Sequence, residues 1–338
     1  MKIVVDGMGG DNAPQEIVKG AVEASALTEH QIILVGDESR INSELEKYKY
    51  NKEKLVVVHA SEVITNDDAP VKAVRTKQDS SMVKGINMVK DGSADLFISA
   101  GNTGAIMAAG LFTLGRIQGI DRPAIASTYP ILGKGGVSLL VDSGANSECK
   151  PNNLLEFAAM GSIYMEKVLN IKNPTVGLVN IGTEETKGTT ILKAAYELLS
   201  KSKLNFKGNV EAREIPKGAC DVIVCDGFVG NIILKLTEGL AWNIMKLLKQ
   251  KFTEGVVSKM GALLLSGKLK ELKSAFDYSE YGGAPFLGVK GAVVKMHGSS
   301  NANAVKNTIL KGIPYAETNV VQTIQNSVLE LEEILISE

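Results

Sequence analysis

Two polar side chains that can act on an anion lie in polar, glycine-containing segments of the chain, and Lys187 follows a predicted strand. Lys187 lies in a segment rich in asparagine, glycine and threonine, where a lysine could hold phosphate or a developing oxyanion. His297 opens a polar segment with glycine and serine, where it could donate a proton or a hydrogen bond. Ordinary roles fit equally well: a solvated lysine paired with Glu184, and a histidine that orders the following helix. These two residues therefore indicate an anion site without defining it.

A loop of asparagine, threonine and glycine opens a predicted helix and has the composition of a phosphate cradle. Asn102, Thr103 and Gly104 combine free backbone amides, a hydroxyl group and a helix N-terminus, all of which favour an anion. Similar clusters follow other predicted strands, and the carboxyl ends of parallel strands share one edge of a sheet. Turn formation and helix capping explain each loop taken alone. Their repetition favours an anion-binding pocket that these loops line at a single sheet edge.

The loops need a sheet to position them, and the apolar pattern predicts one. Short β-branched runs at residues 3–5, 32–35, 96–98 and 137–141 each end in glycine, aspartate or serine, and helical patterns follow them. Strands that are almost continuously apolar are typical of parallel sheets covered on both faces. The sequence therefore predicts an α/β protein with a mostly parallel sheet, helices on both faces and a single domain over residues 1–338.

Residues 240–280 depart from this alternation and are predicted to form a protruding helical hairpin. Two helical patterns flank an apolar tip. The tip contains Val256, Val257, Met260, Leu263, Leu264 and Leu265. The flanking lysines, set against Glu254 and Glu271, are Lys246, Lys249, Lys251, Lys259, Lys268, Lys270 and Lys273. A basic collar around an apolar tip suits reversible contact with an anionic membrane or a partner protein. The alternative is burial against protein, at a subunit interface or in the core.

Composition excludes several classes of protein. The 338 residues include 37 basic and 38 acidic side chains, so the net charge of −1 argues against a protein that coats nucleic acid. The three cysteines, Cys149, Cys220 and Cys225, have neither the even number of a disulfide framework nor the spacing of a zinc site. No apolar run approaches the roughly 18 residues of a membrane span. We therefore expect a cytoplasmic protein without a metal.

Known phosphate-binding and nucleophile motifs are absent or incomplete. Residues 7–12 nearly match a dinucleotide-binding fingerprint, but Asn12 replaces the third glycine. The spacing from Gly261 to Lys268 does not fit a phosphate-binding P-loop, and the chain has no Gly-x-Ser-x-Gly elbow. A nicotinamide-dependent dehydrogenase is therefore one alternative function, and a non-enzymatic scaffold at a membrane surface, suggested by the hairpin, is another.

Seven polar and glycine-rich blocks in a fixed order carry a family resemblance. The blocks are residues 6–11, 99–105, 141–146, 180–188, 221–231, 281–288 and 297–304. In this order the chain resembles the bacterial phosphate acyltransferases of phospholipid synthesis, the PlsX family. The resemblance implies a homodimer with a three-layer, Rossmann-like core related to phosphotransacetylases. It also implies that the acyl phosphate product passes to a membrane glycerol-3-phosphate acyltransferase. We expect no cofactor.

The resemblance further implies the substrates and suggests roles for residues. The substrates would be inorganic phosphate and a fatty acyl thioester of acyl carrier protein, with phosphate attacking the thioester directly. Lys187 and Asn231 would orient the reactants and stabilise the oxyanion, and His297 would contact phosphate or donate a proton. The expected substrate and phosphate contacts are Gly9, Gly10, Asp11, Asn102, Thr103, Gly104, Asn146, Asp226 and Gly227. Peripheral membrane association would bring the enzyme to its lipid-bound partner. A covalent route through Cys149 or a serine remains the rival mechanism.

Overall fold

The computed structural model describes residues 1–132, 135–276 and 282–336, with side chains omitted at 272–276 and 329–336. The end of the predicted hairpin, the side chain of Lys273 and the first residue of the 281–288 block lie outside these residues. No helix in the described ranges has the length and hydropathy needed to cross a membrane.

Eleven strands of the described chain form one sheet, in the order β3-β2-β1-β4-β11-β10-β5-β6-β9-β7-β8. The strands are β1 (Lys2–Asp6), β2 (Gln31–Gly36), β3 (Leu55–His59), β4 (Leu96–Ser99), β5 (Ala124–Pro130), β6 (Val137–Val141), β7 (Thr175–Asn180), β8 (Asn205–Glu211), β9 (Val222–Val224), β10 (Ala284–Leu287) and β11 (Ala292–Lys295). Seven of the ten strand pairings are parallel, which confirms the mostly parallel sheet.

The parallel strands form two groups that run in opposite directions. Strands β3, β2, β1, β4 and β11 form one group, and β6, β9, β7 and β8 form the other. Between them, three successive antiparallel pairings join β11 to β10, β10 to β5 and β5 to β6. An odd number of reversals makes the two groups point in opposite directions, and their offset along β10 brings the carboxyl ends of β11 and β6 to about the same level. The polar loops therefore follow strands of two directions, whereas one edge of a parallel sheet was expected.

Helices cover both faces of the sheet. They are α1 (Gln15–Ser25), α2 (Glu38–Leu45), α3 (Pro70–Thr76), α4 (Ser81–Lys90), α5 (Thr103–Ala109), α6 (Pro151–Lys167), α7 (Thr190–Lys201), α8 (Gly227–Thr253), α9 (Val256–Leu264), α10 (Ser266–Phe276), α11 (Ala302–Glu317) and α12 (Val320–Ile336). Successive residues of β1 enter different cores: Ile3 and Val5 pack in one that includes Ile17 of α1, whereas Val4 packs in another that includes Ile86 of α4. This arrangement confirms the three-layer, Rossmann-like α/β architecture.

Helix α8 continues far beyond the sheet. Its 27 residues span roughly 40 Å at the standard rise, and its only buried residues are Gly227 and Gly230. Helices α9 and α10 follow it, and no residue of α9 is buried. The tip, predicted to be an apolar segment between two helices, is thus itself helical. Its apolar side chains are exposed, with Val257 85% and Leu264 86% accessible.

Candidate active site

A cleft of about 370 Å³ opens where the two strand groups meet. β10 pairs with β11 through Ala284 and Pro285, but with β5 through Phe286 and Leu287, so the neighbours of β10 change along its length. The lining residues are Thr103, Ile125, Ser127, Thr128, Ser143, Gly144, Asn231, Leu234, Lys235, Glu238, Gly282, Gly283, Ala284, Lys295, Met296, His297 and Gly298. Residues that follow the carboxyl ends of strands in both groups, among them Thr103, Asn231 and His297, therefore line one site.

Of the three residues of the predicted phosphate cradle, one lines the cleft. The other two hold that residue in place. Thr103 lines the cleft at the start of α5. The Asn102 carboxamide accepts a hydrogen bond from the Ala105 amide at 3.1 Å and donates to the Thr65 and Asn66 carbonyls. A Cβ at Gly104 would lie 2.8 Å from Pro70 Cγ, so glycine permits close packing there. Asn102 and Gly104 thus position Thr103.

The predicted turn of Gly9, Gly10 and Asp11 lies behind the cleft and is absent from its lining. Gly10 has φ +98°, a conformation that favours glycine. The Asp11 amide donates to the Gly298 carbonyl at 2.8 Å. This turn therefore holds the loop that carries His297.

Three nitrogen-containing side chains give the cleft a basic wall. Lys235 of α8 places Nζ 3.4 Å from Nε2 of His297 and 3.1 Å from Oε2 of Glu238. Lys295, the last residue of β11, lines the same cleft and donates to the carbonyls of Ala100 and Met296. Burial lowers the pKa of Lys295 to about 8, and the neighbouring Lys235 acts in the same direction. The wall attracts an anion, and Glu238 offsets part of its charge.

The surroundings of His297 differ from those of a histidine exposed at the surface. Burial lowers the pKa of His297, and the nearby charge of Lys235 lowers it further. Its Nδ1 lies 2.8 Å from the Ser299 hydroxyl. Both effects on the pKa favour the neutral ring at neutral pH, which suits hydrogen bonding to an anion more than direct ion pairing.

Asn231 lies in the cleft, whereas three other predicted contact residues fix the start of its helix. The Asn146 side chain donates to the Asp142 carboxylate at 2.8 Å, and its carbonyl accepts from the Gly227 amide at 2.7 Å. Asp226 caps the first turn of α8 through its side chain. These residues do not line the cleft. They anchor the segment that presents Asn231 and Lys235.

Lys187 stands apart from the cleft in this chain. It is exposed in the loop after β7, two strands beyond β6, and its carbonyl accepts a hydrogen bond from the side chain of Asn180 at 3.1 Å. The structure therefore brings together Thr103, Asn231 and His297 but not Lys187. Its catalytic role stays a prediction.

Sequence reasoning missed Lys235 and Lys295. A charged residue at the end of the apolar run 292–295 was the available signal for Lys295. Lys235 follows Asn231 by four residues, one helical turn further along the same face. Both patterns are common in proteins, so they identify these lysines as site residues only when the cleft is known.

The cysteines are poorly suited to nucleophilic catalysis. All three are buried and unpaired. Burial raises the pKa of Cys149 to about 12 and that of Cys220 to about 11, which leaves almost no thiolate at neutral pH. Among the described residues, no cluster of histidine, cysteine, aspartate and glutamate could hold a metal ion.

Similarity to solved structures defines the class of fold. The phosphotransacetylase from Streptococcus pyogenes aligns with a TM-score of 0.64 over 94% of each chain, at 17% sequence identity. The branched-chain phosphotransacylase from Enterococcus faecalis aligns with a TM-score of 0.58 over 94% of this chain and 100% of its own, at 15% identity. At such identities the likeness shows the fold alone: the α/β fold of the phosphotransacetylases.

Sequence similarity is far closer and extends over nearly the whole chain. A family model described as "Fatty acid synthesis protein" matches residues 1–323. The phosphate acyltransferase of Alkaliphilus oremlandii is 57% identical over 331 residues, covering 98% of both chains. The chain belongs to the phosphate acyltransferase family of fatty acid and phospholipid synthesis, and it is an enzyme. This membership sets aside the dehydrogenase and the non-enzymatic scaffold.

Proposed function

We propose that this phosphate acyltransferase moves a fatty acyl group from acyl carrier protein to inorganic phosphate, and that phosphate attacks the thioester directly. A phosphate oxygen bonds to the carbonyl carbon, the carbon–sulfur bond breaks, and the departing sulfur takes up a proton. The observation that carries the proposal is the basic cleft, where Lys235, Lys295 and His297 face Thr103 and Asn231.

Phosphate itself is the nucleophile in this reaction. It is anionic at neutral pH, so the enzyme needs a site that holds it and stabilises the tetrahedral oxyanion. The lysines supply charge, and Thr103 and Asn231 supply directional hydrogen bonds. A thiol with an ordinary pKa near 8.5 is a good leaving group, so a proton from the enzyme is not essential, and the neutral His297 acts as a hydrogen-bonding partner of phosphate.

The buried cysteines support direct attack over a covalent route. Cys149 has a raised pKa and lies near the Asp142 carboxylate, whose charge disfavours the thiolate further. An acyl-enzyme on this residue would need a nucleophile that its surroundings suppress.

Lys187 can act in this reaction only if it is brought to the cleft. The loop after β7 must close over the cleft, or a second protomer must bring its own lysine there, because Lys187 is exposed and does not line the cleft. The homodimer therefore belongs to the proposal and gives Lys187 one route to the thioester carbonyl.

The hairpin of residues 240–280 is proposed to visit the membrane from the cytoplasm. Its exposed tip residues include Val256, Met260, Leu263 and Leu265, and lysines flank them. This combination favours reversible binding to an anionic surface. Such contact would bring acyl phosphate close to a membrane glycerol-3-phosphate acyltransferase.

Incubation with acyl carrier protein thioester, with and without phosphate, tests the function. We expect mass spectrometry to detect acyl phosphate only when phosphate is present. Loss of thioester at the same rate without phosphate, or accumulation of an acyl-enzyme, would contradict direct transfer.

A further inference from the structure

The short helix α3 presents an apolar and basic surface that the proposed chemistry leaves unused. A depression of about 510 Å³ is lined by Ala69, Pro70, Val71, Lys72, Arg75 and Thr76. Val71 is 47% exposed, and the neighbouring Phe112 is 53% exposed. We call these seven residues the α3 patch. Large apolar side chains exposed together with arginine are typical of protein contact surfaces.

The positive charge of the α3 patch is not neutralised within the described part of the chain. Lys77 and Lys84 nearby are paired with Asp68 and Asp79, whereas Lys72 and Arg75 form no ion pair there. The Arg75 guanidinium lies 5.2 Å from the centre of the Phe112 ring. A cation–π contact holds the guanidinium in place without cancelling its charge.

The α3 patch adjoins the cleft through tightly packed residues. Pro70 at the start of α3 packs against Gly104, the residue after Thr103. The Asn102 side chain also donates to the carbonyls of Thr65 and Asn66, which lie a few residues before α3. A partner seated on the α3 patch would therefore lie beside the side of the cleft that carries Thr103.

We propose that the α3 patch docks the acidic protein that delivers the acyl thioester, so that its prosthetic arm enters the cleft past Thr103. This inference rests on the proposed function. Charge complementarity supports it, because Lys72 and Arg75 offer two cations to surface carboxylates. Phe112 and Val71 supply the apolar centre that such contacts share, and aromatic and arginine side chains often dominate their energy.

Charge reversal on α3 tests the docking, with two acyl donors compared. The double variant Lys72→Glu/Arg75→Glu is assayed with acyl carrier protein thioester and with an acyl-pantetheine thioester that lacks the protein. We expect KM for the protein donor to rise at least about tenfold, since like charges then face each other. KM for the small donor should stay unchanged, and raised salt should weaken the wild-type preference for the protein donor.

Two matched controls separate the α3 patch from other lysine-rich surfaces. Lys193→Glu reverses an exposed charge on α7 and should leave KM for both donors unchanged. Lys259→Glu reverses a charge on the hairpin. A rise in KM for the protein donor with this variant, and none with the α3 variant, would assign docking to the hairpin instead. Thermal unfolding confirms that each variant is folded.

The remaining outcomes separate the docking from the function. If the wild type forms no acyl phosphate from either donor, the proposed function itself fails. If it uses both donors and the α3 variant matches it, the docking proposal is wrong. An equal rise in KM for both donors would show that the α3 substitutions disturb the cleft itself, and the docking proposal would be wrong. Loss of binding to anionic vesicles with an unchanged KM would make the α3 patch a membrane surface and overturn the proposal.

Discussion

Lys235 and His297 meet across the cleft, with Nζ and Nε2 3.4 Å apart. Lys235 belongs to α8, which follows β9, and His297 follows β11 by two residues. The pair therefore links the two oppositely directed strand groups beside β10, the strand that pairs first with β11 and then with β5. The charge of the site is therefore set by residues from both groups.

The pH dependence of phosphate binding should report on Lys295. Burial brings the pKa of its ammonium group down to about 8, so the group is charged below that pH and neutral above it. We expect KM for phosphate to rise up to about tenfold between pH 7 and 9, as the charged fraction falls. Lys295→Arg should flatten this rise because arginine stays charged. An identical rise in Lys295→Arg and the wild type would exclude Lys295 as its source.

Lys187→Ala should lower turnover by at least ~10², the scale of a lost oxyanion donor. The side chain is exposed, so we expect the melting temperature to change little. The measurement is kcat with saturating thioester and phosphate, and Lys193→Ala on the exposed face of α7 is the control. Turnover close to the wild-type value would remove Lys187 from the mechanism.

Cys149→Ala should retain most of the wild-type turnover. The cysteine is buried with its pKa raised, and it lies outside the cleft lining. Rapid quenching followed by intact-mass measurement should find no acyl group on the wild-type protein. A trapped acyl-enzyme on Cys149, lost in the variant together with activity, would establish the covalent route.

Replacing Val257 and Leu264 with glutamate should release the enzyme from anionic liposomes. Both side chains are almost fully exposed, so the charges should not unfold the protein, but burying them in the interface becomes unfavourable. Cosedimentation with vesicles measures the effect. Leu27→Glu, at another exposed apolar position, should bind like the wild type. Unchanged cosedimentation of the tip variant would leave the hairpin as a protein-packing element.

The layered fold was predictable because its strands are nearly all apolar. Runs such as 3–5 and 96–98 can be buried only when helices cover both faces. The reversal between the strand groups was not predictable, because a strand buried on both faces reads the same in either direction. The helix α9 at the tip was also missed, because glycines at 255, 261 and 267 disfavour a helix and obscure its pattern.

The candidate site was partly predictable for a similar reason. Thr103, Asn231 and His297 each follow a strand in a polar block, and the structure brings them together. Lys187 has the same local pattern, but its strand lies further along the second group. Local pattern locates a loop beside a strand, whereas the distance between two loops depends on strand order, which is a property of the whole sheet.

A crystal structure of the enzyme with phosphate shows whether the cleft is the phosphate site. We expect a phosphate ion in the cleft, within hydrogen-bonding distance of Thr103, Lys295 and His297. A phosphate bound elsewhere, with the cleft closed by packed side chains in an enzyme that still forms acyl phosphate, would contradict it.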